Sequence, residues 1–576
     1  MSHFENLANE LIYEIFDYLD LYDTYNAFSN LNLRYENLLE KSILPLKINI
    51  STMSKSSFEY YFKNIIIPNQ HRIISLHLSN LFIVDRIFSS LSNFTQLKTL
   101  IIHGTEFQLT NLLNYIAVLP NLSSLVIILI DQVQQINKLY HQIFRLPVLN
   151  YCKISLLKES IQSEPLPIET KEFSSIKHLV IENPLHIDEL NALLSYVPQL
   201  CRLSIHQLNR SCKIPKEPYS TILKHLTHIS LFIGNMTFDD FELWIETISN
   251  QLKVLHISIK FDINFLDANR WEKLIESHMP CLQIFDIWHI NSIRIDTYQN
   301  NFVYNHIINQ FRSPFWLERK WYFAYNVDKK SQYYYTSCFY STDPFRRKYI
   351  LFTEGLVERT CPYNDKTNID CVRSIEIRLE NVIDNCATYF PNMTELKISS
   401  MNINQNEIFN SLQYILPLQQ LTTLLINDPK CNLEKIIELL RYLPKLSSLT
   451  IQHILIHEND LVCIQQNEVY QLILTRNNIK NLIINVKCGF EEIKLFVNLC
   501  PQLQRLMINT FTNCIESILR FLLLKRNTGH LSSLCLKNVS EDEIEKLNTF
   551  IVSEKLVDNY SWKIVNVVLN DMYLWW

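Results

Sequence analysis

The stretch Leu122-Ser-Ser-Leu125-Val-Ile127 places apolar side chains at its first, fourth and sixth positions, and the same phrase returns as Leu446-Ser-Ser-Leu449-Thr-Ile451. The phrase occurs at sixteen places, centred on residues 76, 100, 125, 152, 179, 203, 229, 255 and 285, and then on 375, 396, 424, 449, 482, 506 and 534. Most steps within each block are 24 to 28 residues long. A fixed period of this size indicates a stack of similar supersecondary units.

Each phrase predicts a short strand, because alternation over its last three residues points the apolar side chains to one face. Amphipathic patterns between the phrases predict helices, for example over 187–197, 238–248, 433–443 and 491–499. Thr237 and Ser540 each have an acidic residue three places on and are predicted helix N-caps. We therefore expect an α/β solenoid, in which one curved parallel sheet is buried on its helix side and open on its concave side.

The repeat resembles a leucine-rich repeat of the kind that carries a helix on the convex side. It departs from that family where Asn or Cys is usual, three residues after the last strand position. In this chain the place holds apolar residues or proline, namely Ile130, Leu208, Met401, Pro429, Ile454 and Phe511. The repeats are accordingly degenerate. We place the first block of repeats at 46–290 and the second block, with a C-terminal cap, at 373–576.

The composition argues against several classes of function. The net charge of −5 gives no electrostatic footprint for nucleic acid. The chain has 5 glycines in 576 residues, and neither GxGxxG, a P-loop nor GxSxG occurs. The 14 cysteines include no CxxC pair. We expect a non-enzymatic chain with no cofactor, no metal and no nucleic-acid partner.

The cellular compartment is predicted from what the sequence lacks. The first residues, Met-Ser-His-Phe-Glu-Asn, have neither the basic nor the apolar part of a signal peptide. No run of about 18 apolar residues could span a bilayer. These features predict a cytoplasmic or nuclear protein that does not enter a membrane.

The period breaks between the two blocks, at 291–372. Aromatic residues are dense there, as in Trp321-Tyr-Phe-Ala-Tyr325 and Tyr333-Tyr-Tyr335, and polar turns separate them. This pattern predicts a small β-insert whose rings pack against the neighbouring repeats. Basic residues among the rings leave stacking on single-stranded RNA as the weaker alternative.

The first 45 residues do not follow the repeat. Apolar residues recur every four places at Leu7, Leu11, Ile15 and Leu19, and a second pattern runs from Tyr25 to Leu39. Both patterns predict helices. The segment resembles an F-box, whose positions are matched by Leu7, Glu10, Leu11, Ile15, Phe16, Leu19 and Asp23. It departs from the family at Ala8, where proline is usual, and at Tyr35, where tryptophan is usual.

The resemblance implies a substrate-recognition subunit of an SCF-type ubiquitin ligase. The F-box would bind a Skp-family adaptor of the cullin–RING core, and the concave face of the repeats would bind a target protein. The adaptor-binding residues carried over from the family are Leu7, Ala8, Leu11, Ile15, Leu19, Phe28 and Leu31. Two alternatives stay open. The helices could simply cap the first repeat, or the chain could be a leucine-rich scaffold or ligand-recognition protein outside any such ligase.

Histidines concentrate on the predicted concave face of the first block, at residues 77, 103, 178, 206, 228 and 256. They occupy three columns over seven repeats, so a converging metal site is the weaker interpretation and a polar binding face is preferred. His228 and His256 are the only neighbouring pair that the spacing suggests. The predicted target contacts are His178, Arg202, His206, His228, His256, Asp286, Trp288, Lys397, Arg505 and Met507.

Overall fold

A computed structural model describes most of the chain. The described residues are 4–19, 21–41, 45–50, 53–157, 174–210, 223–294, 301–329, 334–342, 349–352, 358–361, 372–377, 389–399, 408–455, 468–523, 530–554, 556, 561–566 and 570–576. Among them, none of the helices is long and apolar enough to cross a bilayer.

The N-terminal module consists of three helices, α1 (Asn9–Tyr18), α2 (Leu21–Phe28) and α3 (Leu33–Lys41). They enclose a small core of their own, in which the fully or nearly buried residues are Ile12, Phe28, Tyr35, Leu38 and Leu39. Tyr35, which stands where an F-box has tryptophan, is 1% exposed, and its ring lies 5.5 Å from that of Phe28. An aromatic residue is therefore retained at the centre of the module.

The first sheet contains thirteen strands among the described residues, and ten of them are successive parallel strands. These ten are β1 (Leu46–Asn49), β2 (Ile73–Leu78), β3 (Thr99–Gly104), β4 (Ser124–Gln132), β5 (Tyr151–Leu157), β6 (His178–His186), β7 (Arg202–Asn209), β8 (His228–Ile233), β9 (Val254–Lys260) and β10 (Ile284–Arg294). The nine predicted centres, from Leu76 to Phe285, pair with one another in register along the sheet. Ile48 extends that row by one strand.

Helices follow most of these strands on the convex side. They span Lys55–Tyr61 (α4), Ile67–Asn69, Leu81–Ile87, Glu106–Ile116, Ile136–Phe144, Ile187–Ser195, Phe238–Ile248 and Ala268–His278. Thr237 caps its helix as predicted, because its side chain accepts a hydrogen bond from the backbone N–H of Asp240. Apolar helix faces and strand centres share one continuous core.

The predicted β-insert contains both helices and strands. The helices are Asn301–Gln310 and Pro314–Glu318, so that part of the segment predicted as a β-insert is helical, including the aromatic pair Phe315 and Trp316. The strands β11 (Phe323–Lys329) and β12 (Tyr334–Ser341) form an antiparallel hairpin that pairs with β10. Strand β13 (Tyr349–Phe352) belongs to the second sheet, whereas β14 (Glu358–Arg359) pairs with β11.

The second sheet contains ten strands among the described residues. The remaining ones are β15 (Ser374–Ile377), β16 (Glu395–Ile398), β17 (Thr423–Asn432), β18 (Ser448–Leu455), β19 (Asn481–Cys488), β20 (Arg505–Thr510), β21 (Ser533–Lys537), β22 (Ser561–Asn566) and β23 (Asn570–Trp575). The seven predicted centres from Ile375 to Leu534 pair in register, and Ile350 adds one more. The helices are Ile408–Ile415, Leu433–Leu440, Glu468–Arg476, Phe490–Leu499, Ile515–Leu523 and Glu541–Ser553.

The prediction of one parallel sheet is wrong in two respects. The described strands form two sheets, and the last strands of each sheet run antiparallel. The first sheet ends on the hairpin β11–β12 followed by the short strand β14, and the second ends on the hairpin β22–β23. An antiparallel hairpin needs no crossover helix, so it can follow the last repeat without starting another one.

Candidate recognition surfaces

The three-helix module exposes apolar side chains that its core does not use. Leu11 on α1 is 46% exposed, Leu31 is 59% exposed, and Leu33 at the start of α3 is 75% exposed. Most exposed leucines in soluble proteins occur singly and need no explanation. Because this module of about forty residues exposes three leucines, it is the strongest candidate for a surface that binds a partner protein.

The side chain of Arg34 brings the start of α3 beside the start of α1. Its guanidinium donates hydrogen bonds to Asn9 Oδ1, at 3.0 and 2.7 Å, and to the backbone carbonyl oxygens of Glu5 and Leu7. The exposed residues Ala8 and Leu33 directly adjoin the residues of this network in sequence. The network therefore gathers the exposed part of α1 and the α2–α3 turn at one end of the module.

The structure divides the predicted adaptor-binding residues into three groups. Ala8, Leu11 and Leu31 are exposed. Leu7, Ile15 and Leu19 are half-buried against the module core. Phe28 is 6% exposed, because its ring packs against those of Phe16 and Tyr35, so it is not available to a partner as predicted. Leu33 is not among the predicted residues, because it lies within the span from Tyr25 to Leu39 but is not one of the apolar positions that make that pattern.

The module packs against the repeats through apolar, aromatic and polar contacts, and Leu21 of α2 belongs to the core of the first sheet. The rings of Tyr22 on α2 and Tyr61 on α4 lie 5.4 Å apart, edge to face. Asn69 Nδ2 donates to the Tyr25 hydroxyl at 3.5 Å. A cavity of about 330 Å³ is lined by residues of the module and of the first strands, and Arg72 is one of its lining residues. Burial lowers the pKa of the Arg72 guanidinium.

On the concave face of the first sheet, three predicted target contacts are register neighbours. His178, Arg202 and His228 occupy the same position on β6, β7 and β8. Burial lowers the pKa of His178 and of His228, and the Arg202 charge lowers both further. Arg202 itself is exposed. This row is a cationic centre flanked by two imidazoles whose neutral form is favoured.

A second group lies at the end of the same sheet. His256 and Asp286 are register neighbours on β9 and β10, with His256 Nδ1 3.6 Å from Asp286 Oδ2. This distance permits an ion pair when the imidazole is protonated. Asp286 is 8% exposed, and Trp288 donates from Nε1 to Cys338 Sγ at 2.8 Å. Trp288 is thus partly engaged with the insert, which lessens its value as a target contact.

The other predicted target contacts are dispersed. His206 on β7 is exposed and its ring lies 6.2 Å from that of Phe232. Lys397 on β16 pairs with the buried carboxylate of Glu376 at 3.2 Å. Arg505 and Met507 are half-buried on β20. Burial lowers the pKa of Arg505.

The structure brings together one histidine pair that the spacing did not suggest. The rings of His77 on β2 and His103 on β3 lie 5.7 Å apart. Burial, helped by the charges of His77, Arg505 and Lys153, lowers the pKa of His103 to about 4. No group of three potential metal ligands occurs among the described residues.

Comparisons with known proteins leave the family open. No family model matches the sequence, and no curated protein does. A solved TLR13–ssRNA13 complex aligns over 73% of this chain and 56% of that one, at 12% identity and a TM-score of 0.22. The yeast complex of Rad7 and Elc1 aligns over 91% and 86%, at 12% identity and a TM-score of 0.20. Alignments at these scores carry no argument about function.

Proposed function

We propose that this chain is the substrate-recognition subunit of an SCF-type ubiquitin ligase, and that the chain itself catalyses no reaction. The N-terminal module would bind a Skp-family adaptor, and the concave face of the repeats would bind a target protein. The observation that carries the proposal is the exposure of Leu11, Leu31 and Leu33 on a three-helix module that stands ahead of a repeat array.

Two further features support it. The module has its own core, so its outer surface is free to hold a partner without dismantling the repeats. Solenoids provide long concave surfaces, and these suit recognition of an extended or folded protein better than catalysis. The row His178, Arg202 and His228, with the exposed His206, is the part of that surface best suited to an acidic segment of a target.

The test is capture of a recombinant Skp-type adaptor by the purified full chain. We expect binding by the native chain and a loss of roughly a hundredfold in the double variant Leu11→Asp/Leu31→Asp, since two charges would be forced into an apolar interface. The matched control is Leu243→Asp, which places the same charge on a leucine that is 64% exposed on a repeat helix. It should bind the adaptor like the native chain.

Equal adaptor binding by the native chain and the double variant would contradict the assigned surface. Failure of the native chain to bind any Skp-type adaptor would contradict the ligase proposal and favour a recognition scaffold. In that case the concave row would still be expected to bind a target, and Arg202→Glu would still be expected to weaken it. The two parts of the proposal can therefore fail separately.

A further inference from the structure

Strand β23 of the second sheet packs against residues that follow β1 at the start of the first sheet. The first sheet with its helices is called the first region below, and the second sheet with its helices the second region. Trp575 on β23 is 2% exposed, and its Nε1–H donates to the backbone carbonyl oxygen of Met53 at 2.7 Å. The backbone N–H of Lys55 donates to the carbonyl oxygen of Trp576 at 3.1 Å. The two hydrogen bonds fix the position of both the indole and the backbone, so this contact is a specific docking site.

Aromatic side chains form the rest of this docking site. The indole of Trp575 stacks on Phe82, with centroids 5.6 Å apart and an interplanar angle of 18°. It also packs at 6.0 Å against Phe58 on α4, which is 1% exposed. Trp575 thereby belongs to the hydrophobic core of the first region, although β23 is paired into the second sheet. A large buried aromatic of this kind typically dominates the energy of a docking contact.

The same end of the second region faces the concave side of the first strands. Cα atoms of β22 come within 8 Å of those of β4. The charge of Arg505 on β20 lies close enough to His77 and His103 to lower the pKa of both imidazoles, after the larger effect of burial. Strands β2 to β4 are therefore covered by residues that stand more than 350 positions later in the chain.

We infer that Met53, Phe58 and Phe82 form a docking site for the chain's own last strand, and that its occupancy closes the repeat array over the concave face of β2 to β4. The occupant is β23, through Trp575 and the Trp576 carbonyl. A target is consequently directed to the later strands, where Arg202 and His206 are exposed. None of the three docking-site residues belongs to the module, so substitutions of Trp575 leave the exposed leucines of the module in place.

The closure is tested by the reactivity of histidine side chains toward diethyl pyrocarbonate in the full chain, followed by peptide mass spectrometry. His206 is the exposed reference in each sample. In the native chain His77 and His103 should react more slowly than His206. In Trp575→Ala their rates should rise on the order of tenfold, which corresponds to about 1.4 kcal/mol of opening free energy. The matched control Tyr60→Ala removes a ring that is 68% exposed on the same helix as Phe58 and should change nothing.

Hydrogen exchange over β5 to β9 in the same samples distinguishes opening from unfolding, because an opened array keeps those amides protected. If Trp575→Ala unfolds, Trp575→Phe keeps one aromatic ring but removes the indole N–H and the five-membered ring, and it should raise the two rates by a smaller factor. Native His77 and His103 that react as fast as His206 would overturn the inference. Unchanged rates in a folded Trp575→Ala would overturn it as well. Adaptor capture should be the same in all of these variants.

Discussion

The two repeat regions, one built on each sheet, share the same apolar strand pattern but end differently. The first region ends on the hairpin β11–β12, which is backed by aromatic rings of the insert. The second ends on the hairpin β22–β23, whose last strand packs into the first region. An exposed sheet edge invites unwanted pairing, and solenoids need caps at their ends. The hairpin of the first region thus packs within its own insert, whereas the hairpin of the second region also packs against the distant start of the first region.

The concave chemistry differs between the regions as well. The first sheet carries the row His178, Arg202 and His228, whereas the second carries the ion pair between Lys397 and a buried Glu376. Ser399 Oγ also donates to Glu376 Oε1, at 2.6 Å. This charge pair of the second region is thus used internally. The difference supports the proposal that the first region binds the target.

The largest effect is expected from removal of a ring in the first region's cap. Trp316 is fully buried and its ring lies 4.9 Å from that of Phe311 and 5.6 Å from that of Phe285. Trp316→Ala should lower the free energy of unfolding of the first region by about 3–5 kcal/mol. Urea denaturation combined with hydrogen exchange measures the change region by region.

The control for this variant is Tyr414→Ala, on a ring that is 81% exposed in the second region, and it should change stability by less than about 0.5 kcal/mol. If Trp316→Ala destabilised β15 to β20 as much as β7 to β10, the two regions would unfold as one unit. The two terminal hairpins would then not stabilise separate regions.

A smaller effect is expected from acid. His289 on β10 is fully buried, and its Nε2 lies 3.1 Å from the Asp262 carbonyl oxygen. Burial lowers its pKa from 6.5 to about 4. The unfolded chain therefore binds a proton between pH 6.5 and 4 that the folded chain does not, and stability falls as the pH falls. At pH 5 this histidine should cost about 2 kcal/mol relative to pH 8.

The variant His289→Gln should reduce that loss of stability, measured by urea denaturation at pH 8 and pH 5. His206→Gln, at an exposed position, should leave the loss as it is in the native chain. His103 acts in the same direction as His289, so the first region should be the more acid-sensitive of the two. An equal loss in the native chain and in His289→Gln would refute the assignment.

The smallest effect should be the same in both regions. Thr237 and Asn432 are N-caps whose side chains accept from the backbone N–H groups of Asp240 and Lys435, at 3.2 and 3.1 Å. Each substitution to alanine should cost about 0.5–2 kcal/mol. Thermal unfolding of the two single variants checks this. A large difference between the two losses of stability would show that an N-cap contributes differently in the two regions, although their strand pattern is the same.

Much of the fold could be predicted because the repeat is a local pattern. All sixteen strand centres lie on paired strands, and the helix predicted over 238–248 is observed with the same ends. The segment 291–372 was predicted as a β-insert because aromatic density favours strands on average, whereas Pro314 at the first helical turn favours a helix around Phe315 and Trp316. Phe28 was carried over from the F-box resemblance as one of a set of apolar residues, and the sequence does not tell which of that set pack the module's own core and which face outward.

The sequence by itself determined the period, the inward residues of each strand and the helical nature of the first 45 residues, because each depends on side-chain alternation over a few neighbouring positions. Only the tertiary structure decided that the array divides into two sheets, that His77 meets His103 and that Trp575 reaches Met53. The histidine contact depends on side-chain directions across the neighbouring strands β2 and β3, whereas the contact of Trp575 depends on how all the intervening repeats are arranged. A small rotation per repeat leaves no mark in any single phrase, but it decides which distant strands finally meet.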